Sequence, residues 1–225
     1  MELLPKCIFI TGTDTNCGKT YAVVELLKHY SALKPRMIAI KPIASGASSK
    51  DPLTNGDIAA LSKVQGHADG DTINAFLFQP AAAPHILAQH NNTPLNWQIF
   101  DRGVNKLLDL QHWQQAFDVC LIEGAGGWRL PLNNQETLDQ WVGEHKMRVV
   151  LVVGMQLGCI NHALLTVDSI QNSGAELIGW VANHVVADMP YVKDNLQSLK
   201  ELIKAPMLGE IQHNGAYESV TDIKI

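Results

Sequence analysis

The run Ile8-Phe9-Ile10-Thr11-Gly12-Thr13-Asp14-Thr15-Asn16-Cys17-Gly18-Lys19-Thr20 carries the clearest chemistry in this sequence. An apolar segment gives way to a polar turn, then to Gly-Lys-Thr at the start of a helical pattern. That order suits phosphate binding. Backbone N–H groups of the turn and first helical residues converge on phosphate oxygens, and the helix dipole adds partial positive charge. Lys19 would reach the outer phosphates, and Thr20 would offer its hydroxyl to Mg²⁺. Five residues separate Gly12 from Gly18, where the standard GxxxxGK[ST] pattern has four. A glycine turn into an ordinary helix is the alternative, and the preceding apolar run with the Gly-Lys-Thr triplet weighs against it.

A phosphate-loop enzyme needs further oxygen ligands for magnesium, placed at the carboxyl ends of neighbouring strands. Glu123 ends the apolar run Val119–Ile122 and precedes Gly124-Ala125-Gly126-Gly127, where the backbone can approach a ligand closely. The alternative for Glu123 is a solvent-facing side chain. Asp57 follows Asn55-Gly56 at the start of a helical pattern and reads equally as a helix cap or a metal ligand. Lys41 ends a second apolar run, before Pro42-Ile43-Ala44-Ser45-Gly46. It is either a cation facing the phosphate crevice or a surface lysine. Asn183 ends another run, Gly179-Trp180-Val181-Ala182, and is either a reader of a nucleobase edge or a structural amide.

The elements that must position these residues follow from the hydropathy pattern. Short Val-, Ile- and Leu-rich runs at residues 7–10, 37–40, 119–122, 149–153 and 177–182 have the length and continuity of strands buried on both faces. Helical stripes fill the intervals. Residues 19–34 place Val23, Leu26, Leu27 and Tyr30 on one face, and residues 160–172 stop before Gly174. Further helices are expected near residues 56–64 and 97–108, within an irregular segment from Ile43 to Phe117 that elaborates the active edge. The alternation predicts an α/β fold with a mainly parallel sheet flanked by helices on both faces, whose ligands sit at the carboxyl ends of the strands. The tail after Gly209 is polar and reads as partly disordered.

Composition limits the function classes. The chain has 225 residues, 46% hydrophobic and 17% charged, which places it among globular chains and predicts one domain over residues 1–225. A formal net charge of −5 argues against general binding to a nucleic-acid backbone. Cys7, Cys17, Cys120 and Cys159 are scattered, with no C-x-x-C pair, and the expectation is reduced thiols. No basic region with an apolar stretch opens the sequence and no run has the length of a membrane span, so a soluble, cytoplasmic protein is expected. The nine histidines form no H-E-x-x-H pattern, and no zinc site is expected. Trp97, Trp113, Trp141 and Trp180 read as packing residues.

Several blocks together resemble a known family. Thr11-Gly12-Thr13-Asp14-Thr15 with Gly18-Lys19-Thr20, Lys41-Pro42 with Ala44-Ser45-Gly46, Glu123-Gly124-Ala125-Gly126-Gly127-Trp128, Gly158-Cys159-Ile160-Asn161-His162-Ala163 and Gly179-Trp180-Val181-Ala182-Asn183 stand in the order of the dethiobiotin synthases. The resemblance runs from residue 7 to about residue 210. It implies a P-loop NTPase-like fold and an ATP- and Mg²⁺-dependent reaction. In that reaction 7,8-diaminopelargonic acid (7,8-diaminononanoate), CO₂ or bicarbonate and ATP give dethiobiotin, ADP and phosphate.

The resemblance also implies roles. Lys41, Lys19 and Thr13 would be catalytic, with Lys41 bridging carbamate and γ-phosphate. Thr20, Asp57 and Glu123 would hold Mg²⁺. ATP would meet Asn16, Cys17, Gly18, Lys19, Thr20 and Tyr21, then Asp57, Glu123, Gly124, Ala125 and Gly126. Asn183, His184, Ile211, Gln212 and His213 would meet its adenine and ribose. Ser45, Pro84 and His85 would contact the substrate's reacting end. The backbone of Gly158, Cys159, Ile160 and Asn161 would receive its far carboxylate at the interface of a homodimer. Three positions depart from the family pattern: Asn16 stands where Glu is frequent, Gln156 where Lys is common, and Gln212 where Pro is usual. A nucleotide-switched partitioning ATPase is the main rival. Such proteins usually carry a second lysine early in the loop, where this chain has Thr13-Asp14-Thr15. A corrinoid-synthesis amidoligase, the second rival, needs an additional domain for which this chain has no room.

Overall fold

The computed structural model describes residues 7–30, 36–66, 69–114, 117–213 and 215–223. In chain order the elements are β1 Cys7–Gly12, α1 Lys19–Tyr30, β2 Met37–Ile40, β3 Ile43–Ser45, α2 Gly56–Gln65, β4 Phe76–Phe78, α3 Pro84–His90 and α4 Trp97–Gln114. Then follow β5 Val119–Glu123, α5 Leu138–Glu144, β6 Arg148–Gly154, α6 Cys159–Ser173, β7 Glu176–Asn183, α7 Val192–Leu202, β8 Met207–Ile211 and β9 Tyr217–Ser219. All five expected strands are present. The helix expected over residues 19–34 is described as far as Tyr30, and residues 31–34 lie outside the described residues.

The main sheet has seven strands in the order β2-β5-β1-β6-β7-β8-β9. Every pairing is parallel except the last, β8 with β9. Because successive side chains on a strand point to opposite faces, each buried strand feeds two cores. Cys7 and Phe9 of β1, Cys120 and Ile122 of β5, and Val149, Leu151 and Val153 of β6 join one cluster. That cluster packs on Phe100, Val104 and Leu107 of α4, Trp141 of α5 and Ala163 and Ile170 of α6. Ile8 and Ile10, Val119 and Leu121, and Val150 and Val152 join the other, against Val23, Leu26, Leu27 and Tyr30 of α1 and Ile58 and Leu61 of α2. The stripe read from the sequence of α1 is therefore its buried face. Trp141 and Trp180 are fully enclosed packing residues.

The segment from Ile43 to Phe117 forms a separate two-stranded parallel sheet, β3 with β4, together with α2, α3 and α4. It stands beside the carboxyl ends of β1, β2 and β5. The expectation for the polar tail needs correction: β8 and β9 form a hairpin on the sheet edge. Tyr217 covers Gly209 so closely that a Cβ there would lie 2.4 Å from its ring. Ile223 is buried, and its N–H donates to the Tyr30 hydroxyl at 2.7 Å. An aromatic contact, a buried isoleucine and a hydrogen bond, spread over a polar sequence, add to the pairing of β8 with β7 in docking this strand pair.

Helices α5 and α6 meet at a point that accepts no side chain. A Cβ on Gly143 would sit 2.1 Å from the carbonyl oxygen of Ser173, one residue before the left-handed Gly174 that ends α6. Gly→Ala inside a helix normally stabilises by about 1 kcal/mol. Here the sign reverses: Gly143→Ala should destabilise by about 1–3 kcal/mol through forced separation of the helices, read as a lowered midpoint in chemical denaturation.

Candidate active site

The carboxyl ends of β1, β2 and β5 deliver the loop 13–18, Lys41 and Glu123 to one edge of the sheet. The resulting cavity has a volume of about 1050 Å³. Asn16, Gly18, Lys19, Thr20, Tyr21, Lys41, Ser45, Asp57, Pro84, Glu123, Ala125 and Gly126 all line it.

The loop conformation depends on two left-handed residues, Asn16 and Gly18, with φ of 61° and 88°. Gly18 is doubly constrained, because a Cβ there would also fall 1.9 Å from the Asn183 amide nitrogen. Asn183 donates that N–H to the Cys17 carbonyl at 2.8 Å. Of the two readings left open by the sequence, this amide braces the phosphate loop against the end of β7. Thr13 is likewise tied to the sheet. Its N–H donates to the Val152 carbonyl at 3.0 Å and its hydroxyl accepts from the Gly154 N–H at 3.3 Å.

Lys41 is 4% exposed, which removes the surface-lysine reading. Its backbone is fixed to the Ile73 carbonyl, and Asn74 donates to the Lys41 carbonyl at 2.7 Å. The ammonium contacts Glu123 Oε1 and lies 2.9 Å from Asp57 Oδ2. Burial opposes its charge, but Glu123 and Asp57 outweigh burial and raise its pKa above the ordinary lysine value. Lys41 is a fixed cation. Glu123 is 1% exposed, so it is no solvent-facing residue, and it accepts from the Thr20 hydroxyl at 2.6 Å.

Asp57 is free to join this group because the capping task belongs to its neighbour. The Asn55 side chain accepts from the N–H groups of Asp57 and Ile58 and donates to the Ser45 carbonyl at 2.8 Å. Burial opposes ionisation of Asp57, yet Lys41, with Thr20 and Lys19, holds its carboxyl below the usual range. Lys19 itself donates to the carbonyls of Gly126 and, at 3.1 Å, Asp14. The floor of the cavity therefore holds two ammonium groups, two carboxylates and a hydroxyl.

Those oxygens suit a hard divalent cation. Thr20, Asp57 and Glu123 converge through shared contacts, and Glu123 Oε2 is buried with no hydrogen-bond partner among the described residues. An unpaired carboxylate oxygen is costly to bury and is the kind of donor Mg²⁺ accepts.

Other expected site residues lie elsewhere. Thr13, Cys17, Gly124 and His85 are outside the cavity lining, although Pro84 is part of it. The Nδ1 atom of His85 is buried without a hydrogen-bond partner among the described residues. His184, Ile211, Gln212 and His213 gather with Asn183 on the far flank of the phosphate loop. The His184 N–H donates to the Ile211 carbonyl, His184 Nε2 lies 2.7 Å from Glu210 Oε1, and His213 Nδ1 lies 3.1 Å from the His184 carbonyl. Tyr21 connects this flank to the cavity by donating to the Gly215 carbonyl at 3.2 Å. Gly158, Cys159, Ile160 and Asn161 open α6 and do not line the cavity.

Sequence reasoning missed Arg129, which lines the cavity, and Asp139, which holds it. It also missed Asn55 and Asn74. Arg129 follows directly on Gly124-Ala125-Gly126-Gly127-Trp128, so its place beside that block was a usable signal. Asn55 caps α2, a local task its place before the helical pattern could have signalled, whereas Asn74 acts through the backbone of Lys41, 33 positions away, which leaves no pattern in a sequence.

Residues 6–221 match a family model described as an AAA domain. The ATP-dependent dethiobiotin synthetase BioD 1 of Escherichia coli (strain K12) is 40% identical over 211 residues, covering 92% of this chain and 91% of that protein. The corresponding protein of Pseudoalteromonas translucida (strain TAC 125) is 42% identical over 205 residues, covering 90% and 88% respectively. Among solved structures, a chain of the MinC:MinD cell division protein complex of Aquifex aeolicus has a TM-score of 0.52 at 14% identity, over 92% of this chain and 81% of that one. At that identity the likeness is one of fold alone, and the fold is that of the P-loop NTPases. By its sequence relatives, the chain belongs to the ATP-dependent dethiobiotin synthetase family.

Proposed function

We propose that this chain uses ATP to join CO₂ to 7,8-diaminopelargonic acid, closing the ureido ring of dethiobiotin. The observation that carries this reading is the convergence of Lys19, Thr20, Lys41, Asp57 and Glu123 on one cavity floor, in a chain of this family. One substrate amine attacks CO₂ and loses a proton, giving a carbamate. A carbamate oxygen attacks the γ-phosphorus and ADP departs, leaving a carbamic–phosphoric anhydride. The second amine attacks its carbonyl carbon and loses a proton, phosphate leaves, and the ring is closed.

Phosphoryl transfer asks the protein chiefly for position and charge. Lys19 stabilises the outer phosphate oxygens, and Lys41, already fixed and cationic, bridges carbamate and γ-phosphate. Lys19 must leave the Gly126 and Asp14 carbonyls to do so, exchanging neutral acceptors for phosphate oxygens. Thr20, Asp57 and Glu123 hold Mg²⁺, which neutralises phosphate charge when bound. Thr13 shapes the loop from the sheet side, and Ser45 with Pro84 and His85 bounds the reacting end of the substrate. Adenine and ribose extend past Tyr21 toward Asn183, His184 and residues 211–213.

The backbone N–H groups at Gly158–Asn161 serve the cavity of a second copy, which makes the active form a homodimer. The exposure of apolar side chains nearby supports this: Leu157, just before α6, is 98% exposed, and Leu165, midway along it, is 62% exposed. The soluble enzyme would work on small molecules in the cytoplasm.

ADP release should require both diaminopelargonic acid and bicarbonate alongside ATP and Mg²⁺, with dethiobiotin identified by mass. Release indifferent to both additions would replace this reading with that of a switch ATPase. Lys41→Met should reduce turnover by about 10²-fold or more while nucleotide binding persists, because the lost cation acts on transferred charge. The same change leaves Glu123 buried without its counter-charge and should cost about 3–5 kcal/mol in metal-free protein, measured by urea unfolding. Glu123→Gln should raise the Mg²⁺ concentration needed for half-maximal activity. An unchanged magnesium titration would reassign that ligand.

A further inference from the structure

Among the described residues lining the cavity, the cations are Lys19, Lys41 and Arg129. The two lysines lie buried at its floor and are engaged there with carboxylates and loop carbonyls. Arg129 differs in both respects. Its side chain is 70% exposed, which places it at the rim, and its Nε donates to Asp139 Oδ2 at 3.0 Å. That bond uses the donor nearest the chain and leaves the outer Nη fork for a ligand.

Asp139 fixes this arrangement. It is 2% exposed in the first turn of α5, and its Oδ1 has no hydrogen-bond partner among the described residues. A buried carboxylate in that state holds its one cation firmly, because losing the cation would leave an uncompensated charge. The guanidinium is thereby oriented by a residue that itself cannot reach the ligand.

We propose that Arg129 receives the free carboxylate of the diamino acid substrate. This rests on the functional reading above. A substrate whose amines react beside the γ-phosphate must set that end at the floor, near Lys19 and Lys41. Its carboxylate, at the other end of an alkyl chain, then faces the rim. A planar guanidinium pairs with a carboxylate bidentately, as an ammonium does not. Ala83, Pro84 and Leu130 in the same lining offer apolar contact to the intervening methylenes. Backbone N–H groups from α6 of a second copy would supply partial charges to the same carboxylate, whose two oxygens accept several hydrogen bonds. Arg129 supplies the full charge.

The test compares diaminopelargonic acid with the diamine of the same chain length that lacks the carboxylate. Arg129→Ala should raise the KM for diaminopelargonic acid by about tenfold or more, the loss of a charged hydrogen-bond pair. The KM for ATP should stay within about twofold of wild type, and kcat/KM for the carboxylate-free diamine should be unchanged. Arg129→Lys should recover part of the loss, and Asp139→Asn should reproduce part of it. Arg129→Gln, which keeps a donor toward Asp139, replaces the alanine variant if that fails to fold, judged by thermal protection with ATP. An equal loss on both diamines, or an unaltered KM for diaminopelargonic acid, would overturn the inference. Normal wild-type synthesis with an indifferent Arg129 variant sinks this inference alone, whereas a wild-type protein that forms no dethiobiotin sinks the functional reading as well.

Discussion

A carboxylate buried at the end of a central strand has to be neutralised, and much of this structure follows from how Glu123 meets that demand. It is 1% exposed, and its Oε1 is met by the Lys41 ammonium and the Thr20 hydroxyl. Each partner arrives from a different strand–loop unit: Thr20 from the helix after β1, Lys41 from the end of β2. Parallel pairing of β2 and β1 on either side of β5 is what brings those two carboxyl ends beside Glu123. The sheet order is thus an electrostatic requirement as well as a packing solution. In a region of low dielectric these contacts are strong enough to compete with a ligand, so on the proposed reading binding ATP is an exchange of partners.

The exchange needs a rigid frame, and glycine and asparagine supply it in different ways. Gly18 allows a left-handed turn and the close approach of Asn183, which ties the loop to β7. Asn55 relieves Asp57 of capping and anchors Ser45, while Asn74 secures the backbone of Lys41. Buried amides can donate and accept at once, so each joins two segments without adding a charge that would need its own partner. Preorganisation of the cationic floor comes from these neutral residues as much as from the ion pairs.

The strands, the phosphate loop and the three oxygen-bearing residues were legible because each has a local signature. Continuous apolar runs mark β1, β5 and β6, and a stripe at helical spacing marks α1. Glu123 and Lys41 were visible as charges at the ends of apolar runs. The sequence alone left their alternatives open, since exposure is a property of the folded chain. The β8–β9 hairpin was illegible for another reason: beyond the pairing of β8 with β7, the tail is held by scattered contacts such as Tyr217 over Gly209 and Ile223 on the Tyr30 hydroxyl, which form no period. Arg129 and Asp139 are ten positions apart across a loop, at no regular spacing. The residues that open α6 are recognisable as a block, yet they do not line the cavity, and within one chain their pattern has no visible target.

The cavity is also graded along its depth, and the grading suits a reaction that handles charge in one place and releases it in another. Its floor concentrates ionic groups, with Lys19, Lys41 and Glu123 buried and Asp57 half-buried, and electrostatic stabilisation of a transferring phosphoryl group is largest there. Ala81, Ala82, Ala83, Pro84 and Leu130 form much of the remaining lining, and they offer area without competing hydrogen bonds. On the proposed reading, an anhydride formed at the floor is attacked by an amine on the same molecule. The second step therefore needs little from the protein beyond holding the alkyl chain and excluding water. An apolar wall does both. Charged side chains spread evenly through the cavity would retain water around the anhydride and favour its hydrolysis. Confining the cations to the floor and rim separates the group that must be activated from the chain that must merely be held.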